Sequence, residues 1–343
     1  MRADEVAKEL AGILDEFSAS RELAPKLIER LWEEGFYCLL VPKEFGGEGA
    51  GLLELALVLE EFSAHCFVLA LSILIQSLGI LILQKDTDAG RKNQRLKRIV
   101  DERRLLAFAL SEDWQESKTT CAEKTEQGYV INGRKVYVNQ AREADWIIVL
   151  CEVEGGLSLF LLEKGRSGLF LGKDFQRSSA YELSWSEVIL QNVEAKDEDL
   201  IGEDAGAEEL CELALAQAGA GASAMAIGIL NEALREIKSG FQREKFGMME
   251  YELAELSIGL ESARALTYQS AYGIDKNFIG YEKKAIASKI FSSELAVKYL
   301  LRFTELAGAG GADLNDKLTR LFNQSLIVRS LLGANSFLLE NFI

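Results

Sequence analysis

The sequence predicts an α+β fold, mainly α: an N-terminal helical domain, a small antiparallel β-sheet or barrel domain, and a C-terminal four-helix bundle. Three observations carry this. Apolar residues recur at helical spacing over both ends of the chain, at Val6, Leu10, Ile13 and Phe17 and again at Leu253, Leu256, Leu260 and Ala263. Between about 106 and 200 the pattern changes to short apolar runs bounded by glycine and charge. Only Pro25 and Pro42 could interrupt a helix, so long helices can run unbroken. The expected boundaries are 1–105, 106–205 and 206–343.

The N-terminal block continues with Leu23, Leu27 and Leu31 at helical spacing. Glu44–Gly51 holds four glycines and reads as a loop. Leu52–Ala64 resumes a helix with Leu55, Val58, Leu59 and Phe62 on one side. Phe67–Leu83 is strongly apolar, but Ser72, Gln76, Ser77 and Gly79 interrupt it, so it reads as a fully buried helix and not a membrane span. Asp86–Asn93 is polar and reads as a surface connection.

In the middle block, Tyr129–Val138 alternates around Asn132-Gly133, a hairpin signal. Trp146–Leu150, Leu157–Leu162 and Trp185–Leu190 read as further strands. Strands this short and closely spaced favour an antiparallel sheet over a βαβ wind. In the last block, Ile286, Ile290, Val297 and Leu300 fall at helical multiples, and long helices joined by short turns imply a bundle. Glycine and alanine are dense from Ala214 to Gly228, which suits close helix packing or a ligand near the backbone.

Composition excludes several functions. A net charge of −16 argues against nucleic acid as partner. His65 is the single histidine, so there is no multi-histidine metal site, and no GxSxG elbow supports serine chemistry. The five cysteines show no CxxC spacing and read as reduced thiols of a cytoplasmic protein. The start lacks an apolar signal core.

Gln242-Arg243-Glu244-Lys245-Phe246-Gly247 puts a guanidinium and a glycine between two helical patterns, and arginine grips phosphate through paired charge-assisted hydrogen bonds. Other motifs flank it in order: Gly35-Phe36 through Val41-Pro42-Lys43-Glu44-Phe45-Gly46-Gly47; Ala107-Phe108-Ala109-Leu110-Ser111-Glu112; Gly128-Tyr129-Val130-Ile131-Asn132-Gly133-Arg134-Lys135; Val188 to Gly202; and Glu305 to Gly311. Together they resemble the acyl-CoA dehydrogenase family over nearly the whole chain.

The resemblance implies FAD as cofactor, an acyl-CoA or acyl-carrier thioester as substrate, an electron-transfer flavoprotein as acceptor, and a homo- or hetero-oligomer. A glutamate would take the α-proton while the β-hydride passes to the flavin. Cofactor contacts are implied at Ser111, Tyr137, Val138, Asn139, Arg243, Phe246, Gly247, Glu305, Gly308 and Gly311.

The sequence departs from the family pattern in four places. After Ser111-Glu112 the flavin loop runs Asp113-Trp114-Gln115-Glu116-Ser117-Lys118, shorter and without glycine. Tyr137-Val138-Asn139 replaces a Trp-led strand. Glu305 stands for a glutamine. The usual base position falls at Leu332, before Gly333, and leucine accepts no proton. The alternative base position falls at Cys211, leaving Glu212 beside it, about 100° around the helix. Glu340 lies past the usual site. Two readings follow: an acyl-CoA dehydrogenase-like flavoprotein with an unusual base, or an inactive member serving as a non-catalytic subunit or thioester-binding protein.

Overall fold

The computed structural model describes residues 2–17, 25–113, 119–175, 179, 183–240, 250–306 and 317–340. The N-terminal part is helical: α1 (Arg2–Phe17), α2 (Pro25–Glu33), α3 (Leu52–His65), α4 (Phe67–Gln84) and α5 (Ala89–Asp101). Eight strands follow: β1 (Leu106–Ala109), β2 (Cys121–Thr125), β3 (Gly128–Asn139), β4 (Trp146–Val153), β5 (Gly156–Glu163), β6 (Leu169–Asp174), β7 (Trp185–Ala195) and β8 (Leu200–Ile201). The C-terminal part holds α6 (Ala207–Gly240), α7 (Glu250–Asp275), α8 (Tyr281–Leu306), α9 (Lys317–Ser330) and α10 (Asn335–Glu340).

The strands form one sheet in the order β6-β7-β3-β2-β4-β5-β8. Most neighbours are antiparallel, but β1 and the start of β2 pair parallel to β4. The sheet encloses its own core, including Ile131, Val138, Ile147, Phe160 and Val188. A larger core runs continuously from the N-terminal helices into the bundle.

Asn132-Gly133 does not turn the chain. The turn lies at Glu126-Gln127, between β2 and β3, and β3 runs straight through the pair. Instead the pair makes a bulge against β7: the register shifts between Ile131 and Gly133, and the Asn132 side chain accepts from the Asn192 amide at 2.8 Å. Gly133 has φ +153, and a Cβ there would meet Thr120. Neighbouring strands thus decided between two uses of one dipeptide.

Helix α4 is buried from Phe67 to Leu83. By length and composition α4 and α6 could each cross a membrane, but 94% and 89% of their apolar windows are buried inside the protein. Helix α6 is the axis of the bundle, packing on α3, α4, α7, α8 and α9. It comes close to α3 because Gly228 lies against Ser63 Oγ and Glu60 O, where a Cβ would clash. Ser63 Oγ also donates to Met225 O at 3.0 Å. On α8 the buried face is not the expected one. Of the four residues expected there Leu300 is buried, but Ile286, Ile290 and Val297 are only half-buried, whereas Ala285, Ser288, Lys289, Ser292, Ser293 and Ala296 face inward. Ser223 of α6 bonds to Thr267, Ser288 O and Ser292, so the bundle centre is a small-polar knot.

Buried polar groups tie the parts together. Asp86, read from sequence as part of a surface connection, is buried, and α5 begins three residues later. Its carboxylate takes Arg95 at 2.7 Å, Arg91 at 3.0 Å and the Gly202 amide at 3.1 Å. Arg95 reaches on to the carbonyls of Glu198 and Leu200. Glu60 of α3 is held by Arg264 and Tyr268 of α7 and Asn231 of α6. Asp275, ending α7, accepts from the Leu52 and Leu53 amides and so caps α3. Removing one member of a buried ion pair strands the other. Asp86→Ala should therefore cost about 3–5 kcal/mol in urea unfolding; a loss below about 1 kcal/mol would show that the Asp86–Arg95 pair does not hold the seam.

Candidate functional site

The site begins where β1 ends. Ser111 is exposed, and its carbonyl accepts from the Val136 amide at 2.9 Å, which sets it beside β3. One residue on, Tyr137 has φ +56, a left-handed conformation costing a bulky residue about 1–3 kcal/mol. The register with β7 shifts at this point, between Lys135 and Val138. The bulge turns the Tyr137 ring outward: it is 46% exposed and packs on Phe175 at 4.2 Å between centroids. Asn139 folds its amide back onto Tyr137 O at 2.9 Å and satisfies the bulged backbone. Val138 points into the sheet core, so only its backbone is available to a ligand.

Beyond the bulge, Gln140 is buried at φ +47. It accepts from Ser72 Oγ at 2.7 Å and donates to Leu106 O, and Ser72 also bonds the Tyr37 hydroxyl. This chain fixes the site strand to α4 and to the segment before it. Burial holds the Tyr37 hydroxyl far above its usual pKa.

Beneath the loop after β1, Lys135 is buried and pairs with Glu112 at 2.7 Å. Glu112 also accepts from the Thr120 amide, and Lys135 donates to Leu110 O. Burial alone would raise the Glu112 pKa, but its bonds to Lys135 and Thr120 bring it below the usual carboxylate range. The pair lines a cavity of about 210 Å³ with Thr119, Cys151 and Leu157. It ties Glu112 and Thr120, at either end of the segment between β1 and β2, onto the sheet.

The remaining predicted residues are dispersed. Glu305 is exposed near the end of α8 and pairs with Arg302 at 3.4 Å. Glu212 is exposed on the second turn of α6, beside buried Cys211. Burial, with Glu212 next to it, pushes the Cys211 thiol up to about 12, so it is neutral at physiological pH. Leu332 (φ +58) and Gly333 (φ +103) form the connection from α9 to α10. Leu332 is half-buried against the main core. Arg243, Phe246, Gly247, Gly308 and Gly311 lie outside the described residues, and so does the side chain of Glu340.

Sequence reasoning missed Lys289, whose ammonium donates to Arg329 O at 2.9 Å, Gly333 O at 2.8 Å and Asn335 Oδ1 at 2.7 Å. The only hint was a lysine within the small-residue run of α8. It also missed Phe175 and Gln140, which no local pattern marks.

Three family matches follow this architecture. The acyl-CoA dehydrogenase N-terminal domain matches residues 2–103, the middle domain 108–193 and the C-terminal domain 209–342. The chain belongs to the acyl-CoA dehydrogenase family. It is 28% identical over 344 residues to a 3-(aryl)acrylate reductase of Clostridium sporogenes, covering 95% of this chain and 91% of that one. It is 25% identical over 330 residues to the caffeyl-CoA reductase-Etf complex subunit CarC of Acetobacterium woodii, covering 90% and 86%. The butyryl-CoA dehydrogenase of Megasphaera elsdenii shares the fold, with a TM-score of 0.90, 23% identity and coverage of 98% and 94%.

Within this family the described residues fit a planar cofactor on one side. Tyr137 presents a half-exposed ring on a strained bulge, packed on Phe175, and the Ser111 carbonyl is bonded to the same strand. Leu332 does not fit the role of proton acceptor.

The Lys135–Glu112 pair supplies a prediction. Glu112→Gln should destabilise the protein by about 1–3 kcal/mol, because it leaves the buried Lys135 ammonium without its counter-charge. A carboxylate with a lowered folded pKa stabilises above its unfolded pKa, and that contribution is lost as pH falls through the folded value. The variant's unfolding midpoint should therefore fall less between neutral pH and about pH 4 than the wild type's. Parallel pH curves would remove Glu112 from the role.

Proposed function

We propose that the chain binds FAD between the Tyr137–Asn139 bulge and the bundle, and acts on the Cα–Cβ bond of an acyl thioester presented by CoA or a carrier protein. The exposed Tyr137 ring carries this reading: a large aromatic held at the surface in a left-handed bulge is a cost that a ring-shaped ligand offsets. When bound, FAD supplies hydride exchange with the β-carbon. Ser111, Tyr137, Val138 and Asn139 would hold the ring, with Val138 using its backbone alone. Arg243, Phe246, Gly247, Glu305, Gly308 and Gly311 are proposed for the rest of the cofactor. Electrons would pass to an electron-transfer flavoprotein, and the chain would work in the cytoplasm as an oligomer.

The α-proton is the difficulty. Leu332 cannot exchange it, Cys211 is a neutral buried thiol, and Glu212 points outward. In this reading the α-proton would pass to the Glu212 carboxylate after a shift, or to Glu340, the other carboxylate the sequence offers. Leu332 is also the observation that favours the second reading, a subunit that binds FAD and thioester without turning the thioester over.

Purified protein given FAD should stay yellow after gel filtration, and Tyr137→Ala should retain at least about tenfold less flavin. Protein that takes up no FAD would end the enzyme reading and leave only a thioester-binding subunit. Adding an acyl-CoA panel then separates them: bleaching supports the enzyme, and binding without bleaching supports the non-catalytic subunit. In the second case Leu332→Glu should bring bleaching about, since a carboxylate in an apolar slot acquires the raised pKa of a base.

A further inference from the structure

Lys289 is 1% exposed in the third turn of α8. Its three N–H donors meet three acceptors from separate places: the Arg329 carbonyl in the last turn of α9, the Gly333 carbonyl in the connection, and the Asn335 side chain that opens α10. The amide of Asn335 donates to Ser293 Oγ at 2.9 Å and to Glu294 Oε1 at 2.8 Å, and Glu294 takes Arg329 Nε at 2.7 Å. The loop closes through α8, α9, the connection and α10.

An ammonium is the side-chain group with three donors arranged around one atom; a guanidinium offers a planar fork that cannot reach three converging acceptors. The positive charge lies at the C-terminal end of α9, where the helix dipole is negative. The connection it grips includes Leu332 in a left-handed conformation, a strained state that persists only when its surroundings over-determine it.

We propose that Lys289 is a positioning residue: it clamps the α9–α10 connection so that Leu332 stands in one place as an apolar wall against the bound acyl thioester. The proposal rests on the reading above that this connection borders the thioester. The clamp explains how the connection keeps a fixed shape although it carries no proton acceptor. What it sets is the fit of the acyl group.

Burial lowers the Lys289 pKa to about 8, with Glu294 on its own helix opposing the fall and Arg329 on α9 adding to it. From α10 it meets the uncharged Asn335 amide. The clamp is therefore largely charged at about pH 7 and largely neutral at about pH 9, where one of its three donors is gone.

Two measurements test this on the full chain loaded with FAD. The first is amide hydrogen exchange at neutral pH over residues 331–335, in wild type, Lys289→Met and Lys289→Arg. Both variants should exchange at least about tenfold faster there, with α6 unchanged. The second is calorimetric binding of butyryl-CoA and 3-phenylpropanoyl-CoA at about pH 7 and about pH 9. Wild-type affinity should drop about three- to tenfold between the two, whereas Lys289→Met should bind weakly and equally at both. Unchanged exchange in the variants overturns the clamp. An equal pH loss in Lys289→Met overturns the link to the ligand. If the wild type binds neither thioester, the functional reading falls with the ligand half of the proposal, and exchange alone still decides the clamp; the wild-type pH comparison stands even if a variant fails to fold.

Discussion

The close approach of α6 to its neighbours is the constraint on which the rest depends. This one helix packs against helices of the N-terminal part and of the bundle and also touches β5. A helix surrounded in this way must be apolar all round and narrow where others cross it. Its run of alanine and glycine meets both demands. Gly228 lets the backbone of α3 lie against it, and Gly219 brings it to the backbone of α8 at Ala285. A larger side chain at either point would push α6 away from the helix it crosses.

Apolar packing alone would let these parts slide. Register between them comes from buried polar groups, each of which has one acceptable partner set. Asp86 locks the N-terminal helices to the segment around β8. Glu60 locks α3 to α6 and α7. The Tyr37–Ser72–Gln140 chain locks α4 to the site strand. Leaving any of these groups unpaired in the interior costs far more than pairing it returns, so they act as selectors of geometry more than as sources of stability.

The site shows the same logic with a gap in it. The bulge proposed to hold the flavin is elaborate: a strained tyrosine, a phenylalanine packed on it and an amide that satisfies the bulged backbone. The frame around the α9–α10 connection is equally elaborate, with a buried lysine spending all three of its donors there. That connection includes Leu332, which carries no titrating group, so what the buried lysine fixes there is a shape.

The sequence by itself determined the layer order, the helical ends and the strand-rich middle, because hydrophobic period is a local property that survives divergence. It also determined the family, since the motifs in order leave few alternatives. It placed Ser111 beside Tyr137–Asn139 only by analogy, and it misread Asn132-Gly133, Asp86 and the buried face of α8. In each case the deciding partner is distant in the chain. A dipeptide becomes a bulge when β7 pairs across it, and an aspartate goes inside when two arginines and a far amide receive it. A helix turns polar residues inward when three helices meet at their hydroxyls. Those partners are chosen by tertiary packing, where the cost of an unmet charge or donor depends on what lies across the interface, and nothing within a few residues encodes that.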